Sequence, residues 1–386
     1  MATSKNSSKL NEKKIIAAYK KQGPRIGTSA RAKLRDRKDF SLWYTPGVGA
    51  AASYLAAHPK DARLMSVKKN SVAIISDGSA VLGLGNIGAY GALPVMEGKA
   101  LIFKEMADID AWPLVLDTQT HEADEIVRIV KAIAPNFGGI NLEDIAAPKC
   151  FEVEARLQDL GIPVMHDDQH GTAIIALAGL INAAKVVKKE FAKLKVVVSG
   201  AGAAGSAIAN LLVAAGVHDV VVLDRSGILV VGRANMNTYK EAVAAKTNPR
   251  KLSGDLAKAL TGADAFIGVS GPGSVSPAHL SLMAHKSIVF ALANPIPEIM
   301  PDVAKKAGVA VVATGRSDFP NQLNNALAYP GIFRGALDKG ITKITEDTKL
   351  RAAYALASLV ARPTADKIIP GLLDKRVVKA VAKSVR

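Results

Sequence analysis

The stretch Gly200-Ala201-Gly202-Ala203-Ala204-Gly205, set between an apolar run and a helical pattern, limits the fold of this 386-residue chain more than any other feature. The run at 195–199 is short, apolar and β-branched, as a buried strand of a parallel sheet is. Gly200 permits a tight turn out of that strand, Gly202 lets backbone approach a pyrophosphate, and Gly205 lets helix and sheet pack closely. Ala203 and Ala204 lie within the same phosphate-facing turn. A helix over 205–215 closes at Gly216, and a second strand over 219–224 ends on Asp224, 24 residues after Gly200. An acid there accepts hydrogen bonds from an adenosine ribose, while phosphate sits over the helix N-terminus, where free N–H groups and the helix dipole attract negative charge. The unit predicts dinucleotide binding rather than a purely structural βαβ. Asp224 favours NAD, because a carboxylate repels a 2′-phosphate; Arg225 beside it favours NADP, because it neutralises one. Both cofactors stay open.

The same rhythm continues downstream, with strands expected at 264–268, 287–292 and 309–313, the pattern of a doubly wound parallel sheet. Upstream, 71–76 reads as a strand broken by Asp77-Gly78. A helix over 124–134 places Ile126, Val127, Val130 and Ile133 on one face and stops at Pro135. Another helix over 151–160 ends at Gly161, followed by a strand at 162–165 and an exit loop His166-Asp167-Asp168-Gln169-His170-Gly171. The apolar segment 172–187 is then a largely buried helix. A second glycine cluster at 83–88 also spells Gly-x-Gly-x-x-Gly, but no βαβ unit and ribose acid follow it, so a substrate-side loop or strand-to-helix turn is expected. Near the start, Pro46-Gly47 marks a turn able to present Tyr44.

Glu143-Asp144 and Asp167-Asp168 flank one helix and strand, so folding can bring the two acidic pairs together. Carboxylates sharing a cleft repel one another unless they hold a cation or share protons. Oxygen-only ligands suit Mg or Mn rather than zinc, although His166 and His170 leave an imidazole-containing site open. A dinucleotide site beside a hard-metal site suggests oxidation of a hydroxy acid that bears a neighbouring carboxylate, with loss of that carboxylate as carbon dioxide. Such chemistry needs a base for the hydroxyl proton and an acid for the enol carbon, tasks that a lysine of depressed pKa and a tyrosine could divide.

The formal charge of +16 invites a nucleic-acid reading until it is located. Residues 1–40 carry +9 and residues 361–386 carry +5, leaving +2 on the 320 residues between. The basic ends lack the interleaved aromatics of a base-stacking surface. One cysteine, Cys150, excludes an intramolecular disulfide and fits a reducing, cytoplasmic setting. The apolar strands fall short of the roughly 20 residues of a membrane helix, and no secretory leader is expected.

Taken together, these segments resemble the short, prokaryote-type malic enzymes, from about Tyr19 to Leu359. The resemblance rests on ordered motifs: Tyr44-Thr45-Pro46-Gly47-Val48, the glycines at 83–88, Met96-Glu97-Gly98-Lys99-Ala100, the run from His166 to Thr172, Ala291-Leu292-Ala293-Asn294-Pro295 and Pro320-Asn321-Gln322-Leu323-Asn324-Asn325. It implies Lys99 as general base and Tyr44 as general acid, with Asp167 tuning the lysine or the metal shell. It also implies Glu143, Asp144 and Asp168 as ligands of Mg or Mn, displacing the histidine alternative. Asn294 lies near substrate and nicotinamide, and Asn325 and Lys99 contact substrate. The implied reaction is oxidative decarboxylation of L-malate to pyruvate and carbon dioxide with reduction of NAD or NADP. Two departures stand out. Larger relatives carry an arginine where this chain has Ala80, so Ser79, the 83–88 backbone or Arg316 would have to hold a substrate carboxylate. Trp43 replaces a small residue before the tyrosine.

The implied architecture is α/β: a mixed α/β substrate and metal domain, a Rossmann-like doubly wound dinucleotide domain, and C-terminal helices packing back. The expected boundaries are a basic, flexible segment at 1–18, the substrate and metal domain at 19–170, the dinucleotide domain at 171–345 and the helical end at 346–386. A homodimer, with association into a larger assembly left open and without nucleic acid or membrane, is the implied assembly. A related hydroxy-acid dehydrogenase or oxidative decarboxylase is the enzymatic alternative, and a Rossmann redox-sensing or nucleic-acid-binding module the non-enzymatic one.

Overall fold

The computed structural model describes residues 12–118 and 122–386. Four strands form the first sheet: β1 (Ser71–Ser76), β2 (Asp110–Val115), β3 (Gly139–Leu142) and β4 (Val164–His166), in the order β2-β1-β3-β4 and all parallel. Six form the second: β5 (Lys195–Ser199), β6 (Asp219–Asp224), β7 (Gly227–Ile228), β8 (Ala265–Gly268), β9 (Ile288–Ala291) and β10 (Val311–Thr314), in the order β10-β9-β8-β5-β6-β7. All its pairs are parallel except β6 with β7. β1, β5 and β6 occupy the residues expected of them.

Parallel strands put their carboxyl ends on one edge, and that is where ligands gather in open α/β sheets. In the first sheet Leu142 pairs with His166, so Glu143-Asp144 and Asp167-Asp168 leave adjacent strands side by side. In the second, β5 delivers Gly200 and β6 delivers Asp224 to a common edge.

The helix Asp167–Val187 joins the two sheets. It is apolar on nearly every face, and Ile174, Leu177, Leu180 and Ala183 are fully buried in the core that both sheets share. By length and composition it could cross a membrane, longer than the apolar strands suggested, yet 72% of its apolar window is buried inside the fold. It also starts earlier than expected. The predicted exit loop at 166–171 is the last residue of β4 and the opening of this helix, because two carboxylates suit the positive end of a helix dipole. Gly171 permits this: a β-carbon there would lie 1.8 Å from Asp167 Oδ1.

The C-terminal helices pack back onto this frame. Glu346–Ser358 lies along the joining helix, and Arg376–Ser384 lies on the helix Tyr329–Lys339. Gly331 and Gly335 admit Val381 and Val385 at distances that a side chain would forbid. Asn182, wholly buried in the joining helix, donates to the carbonyls of Ala357 and Ile368, both at 2.9 Å.

The N-terminal region behaves differently. Residues 1–11 of the segment expected to be flexible lie outside the described residues, whereas 12–18 belong to the helix Glu12–Gln22. That helix and the next three, Arg37–Trp43, Gly47–Ala57 and Ala62–Met65, bury no residue at all.

Asn182→Leu should destabilise the protein by about 2 kcal/mol, since it leaves the buried Ile368 carbonyl without its side-chain donor. Urea unfolding measures this, and a loss below about 0.5 kcal/mol would show that the bond does not hold the C-terminal segment down.

Candidate active site

Two connected hollows occupy the strand edges. A groove of about 1130 Å³ runs along the second sheet, lined by Gly200, Gly202, Asp224, Arg225, Arg233 and Lys240 among others. A cleft of about 690 Å³ lies between the sheets and contains Lys99, Glu143, Asp144, Asp168, Asn294 and Asn325. Val269 and Ser270 line both, so groove and cleft meet there.

The glycine turn is built as its spacing predicts. Gly200 has a φ of +115°, and a β-carbon at Gly205 would lie 1.7 Å from the Gly200 carbonyl oxygen. Gly202 faces open space and caps the helix Ala203–Ala214, which starts two residues earlier than expected. Ala204, in its first turn, reaches the cleft. At the end of β6 Asp224 is not free, for Arg233 and Lys240 donate to its Oδ2 at 2.7 and 2.6 Å. Burial pushes the Asp224 carboxyl up, but these two cations outweigh it and hold it at about 2. Arg225 is exposed on the groove wall. The sequence reading missed Arg233 and Lys240, which β7 and a following turn return from 9 and 16 residues away.

In the cleft, Lys99 is 7% exposed and forms ion pairs with Asp167 and with Glu143, the latter at 2.6 Å. Its ammonium also lies 4.4 Å from the ring centre of Tyr329. Burial pushes the lysine pKa down, but Asp167 and Glu143 together hold it well above the ordinary value. The depressed lysine pKa expected from sequence is therefore not the state of this cleft. The sequence assigned Lys99 a task without showing that two carboxylates would enclose it.

Glu143, Asp144 and Asp168 each offer an oxygen within 4.8 Å of the others. Burial raises Glu143 well above the carboxylate range, and burial with the neighbouring Asp168 charge raises Asp144 to about 7. Burial lifts Asp167 to about 6 against the pull of Lys99. Asp144 adopts a φ of +52°, unusual outside glycine, while its N–H donates to Asp168 Oδ2 at 2.8 Å. Its own Oδ2 is buried without a partner. Three converging carboxylates, one with an orphaned buried oxygen, fit a hard divalent cation of the Mg or Mn kind. His170 is taken up by Glu154 at 2.9 Å. Both ring nitrogens of His166 are buried without a hydrogen-bond partner, its Nε2 lying 3.8 Å from Asp168.

The asparagine segments are held by close approaches. A β-carbon at Gly83 would lie 1.9 Å from the Asn294 carbonyl oxygen, and one at Gly315 2.8 Å from Asn294 Nδ2. The 83–88 cluster is thus a loop pressed against the Asn294 turn and leading into the helix Gly88–Ala107 that carries Lys99, the strand-to-helix turn expected of it. Glu298, fully buried and unmarked in the sequence reading, accepts from Ser270 and Ala293 at 2.9 and 3.0 Å and ties together two loops of the cleft wall. Tyr44 does not join this group. It is 61% exposed beyond the helix Arg37–Trp43, packs edge-on against Phe40 at 5.5 Å, and does not line the cleft.

Comparisons with known proteins agree along the whole of this architecture. Residues 24–158 match the family described as malic enzyme, N-terminal domain, and residues 169–386 match malic enzyme, NAD binding domain. The chain is 51% identical over 366 residues to an NAD-dependent malic enzyme of Geobacillus stearothermophilus, covering 94% of this chain and 76% of that protein. It is 44% identical over 368 residues to an NADP-dependent malic enzyme of Halomonas elongata, covering 90% and 86%. The crystal structure of an NAD-dependent malic enzyme from Thermotoga maritima superposes with a TM-score of 0.92 at 48% identity, covering 96% of this chain and 98% of that one.

The two helix-turn glycines separate folding from binding. Gly205→Ala should lower stability by about 3 kcal/mol without ligand, through its clash with the Gly200 carbonyl. Gly202→Ala should melt like the unmodified protein yet bind dinucleotide at least tenfold more weakly. Thermal melts with and without NAD and NADP test both; equal melts for the two variants would contradict the packing argument.

Proposed function

This chain belongs to the malic enzyme family and is an NAD- or NADP-dependent malic enzyme; we propose that its cleft divides the oxidative decarboxylation of L-malate to pyruvate among Lys99, Tyr44 and the carboxylates as follows. The observation that carries this reading is the position of Lys99, buried between two carboxylates in an acidic cleft that opens onto the neighbouring groove at Val269 and Ser270. Glu143, Asp144 and Asp168 are the residues that would hold the divalent cation. When bound, that cation supplies the positive charge that polarises the oxygens of the substrate, and the nicotinamide accepts hydride.

Lys99 takes the proton of the substrate hydroxyl. As a ligand of the cation Glu143 would no longer hold the ammonium charged, and burial would then favour the neutral amine against Asp167 alone. Asn294 and Asn325 orient the substrate with neutral amides that suit both a carboxylate and a carbonyl. Gly200, Gly202, Ala203, Ala204 and Gly205 cradle the dinucleotide, with Asp224 and Arg225 at its ribose end. Tyr44 protonates the enol carbon, and a second copy of the chain brings it there.

The N-terminal surface supports such an assembly. Leu42, Trp43, Tyr44, Leu64 and Val67 are each more than half exposed, and among the described residues no helix before residue 66 buries a residue within its own chain. An apolar surface of this kind is characteristic of an interface. We therefore read the protein as a homodimer whose sites are shared. The buried free Cys150 fits a reducing, cytoplasmic setting.

L-Malate with Mn should yield pyruvate and reduced cofactor in equal amounts, with activity lost on chelation and restored by the metal. Oxaloacetate accumulating in place of pyruvate would identify a simple dehydrogenase, and no turnover with either cofactor would overturn the reading. Sharing of sites has its own test. Lys99→Ala and Tyr44→Phe should each lower kcat by about 100-fold or more. Mixing and reassociating the two variants should restore up to about a quarter of the normal activity, because half the dimers formed are mixed and each holds one intact site; no restoration would place Tyr44 and Lys99 in the same chain.

A further inference from the structure

Resting on the malate reading, we propose that Arg25 holds the α-carboxylate of the substrate, doing the work of the arginine absent at Ala80. The cleft requires a cation. Its wall includes Ala80, and Lys99 and Arg25 are the two cationic side chains that line it among the described residues. Lys99 is committed to Glu143 and Asp167. A dicarboxylate entering beside two further acidic groups, Asp144 and Asp168, therefore meets one positive side chain not already enclosed by the metal and base cluster.

Of the candidates read from sequence, Ser79, Arg316 and three of the N–H groups at 83–88 are occupied elsewhere. Ser79 Oγ donates to Asp77 at 2.6 Å and accepts from the Ala146 N–H at 2.9 Å. Leu84, Ile87 and Gly88 turn their N–H groups inward, to Val81, Gly78 and Asn86. Arg316 is paired in two places with Asp318, at 2.9 and 2.6 Å, donates to the Pro295 carbonyl, and does not line the cleft.

Arg25 is held in the manner of a binding residue. Its Nε and Nη2 donate to Glu97 at 3.3 and 3.2 Å, Nη2 also donates to the Pro94 carbonyl at 2.6 Å, and Nη1 donates to the Tyr19 hydroxyl at 3.2 Å. The guanidinium lies over the Tyr19 ring, 4.7 Å from its centre. A guanidinium has five N–H donors, so these four bonds fix its plane and leave one, on Nη1. Nη1 lies 3.5 Å from the position of a β-carbon on Gly98, against the wall of the cleft one residue before Lys99. The side chain is 17% exposed, enough to reach a ligand and too little to be a solvated surface charge.

The chemistry selects the carboxylate. The α-carboxylate persists from malate to pyruvate, so a cation on it binds substrate, intermediate and product alike. A cation on the β-carboxylate would stabilise the charge that must leave as carbon dioxide. Arg25 is thus a substrate-binding residue whose loss should appear in KM rather than kcat.

Steady-state kinetics on the full chain with Mn test this. Arg25→Gln should raise the malate KM about 100-fold and the pyruvate inhibition constant in parallel, with kcat and the dinucleotide KM within about threefold of normal. Arg25→Lys, which keeps the charge and loses the planar fork, should fall between the two. Glu97→Gln removes the ion pair but keeps the guanidinium, so its malate KM should stay within about threefold. A normal malate KM in Arg25→Gln, an unchanged pyruvate constant, or a Glu97→Gln variant that reproduces the Arg25→Gln defect would each overturn the proposal, the last by showing a brace instead of a clamp. Absence of malate turnover in the unmodified chain would strike down the reaction and the clamp together, whereas turnover with an unaltered KM in Arg25→Gln strikes down the clamp alone.

Discussion

The placement of one buried ammonium between two buried carboxylates governs the rest of this molecule. Lys99, Glu143 and Asp167 are each at most 7% exposed, and none could be ionised there without the others. Pairing of this kind seldom raises stability above that of a packed apolar cluster, so its presence at a strand edge points to chemistry. The fold supplies it economically. β3 and β4 end in register and release Glu143 and Asp167 together, while the helix Gly88–Ala107 brings Lys99 across from the opposite side. The phenol ring of Tyr329, from the helix that receives the C-terminal segment, closes over the ammonium. The last helices thereby support the centre through Tyr329 and Phe333, both packed on Phe103.

Close backbone approaches then couple this centre to the dinucleotide groove. Gly83 rests on the Asn294 carbonyl, and Glu298 binds the N–H groups of Ser270 and Ala293. A buried carboxylate that accepts two backbone donors is a stiff link, because breaking either bond leaves charge unsolvated. The joining helix adds a second link, since the segment that presents Asp167 and Asp168 also packs against the helix beneath the pyrophosphate turn. The acidic cluster, Lys99 and the glycine turn are thus set on elements that share one core.

What the sequence made legible follows the range of the interactions involved. β5, the glycine turn and β6 are local: strand period, glycine conformational freedom and a terminal acid lie within about thirty residues, and they fold as read. β2 escaped notice because Trp112-Pro113 argues against a strand, yet β2 lies at the sheet edge, where a missing N–H is tolerated. The start of the joining helix was misread because polar residues from His166 to His170 look like a loop, whereas an acidic first turn is a helix signal that apolar periodicity does not register. Tyr44, Lys99 and the acids could be named from motif likeness, but nothing in their spacing says that Tyr44 lies apart from the other groups in its own chain. Arg25 carried no signal, since its contacts with Glu97 and Pro94 join residues about seventy positions apart.

The Asp224 end of the groove shows why such distance matters to chemistry as well as to folding. The rule that an acid after the second strand repels a 2′-phosphate presumes an uncompensated charge. Asp224 is compensated twice, by Arg233 and Lys240, and Arg225 stands next to it, so this end of the groove carries net positive charge. The carboxylate is held ionised by those same partners and serves to fix two cations on the groove wall. Reading Asp224 alone gives the sign of one residue; the ligand meets the summed field of four. The same reasoning applies in the cleft, where Ala80 read alone suggests a missing clamp, and the fold brings the guanidinium of Arg25 to the lining of the same cleft.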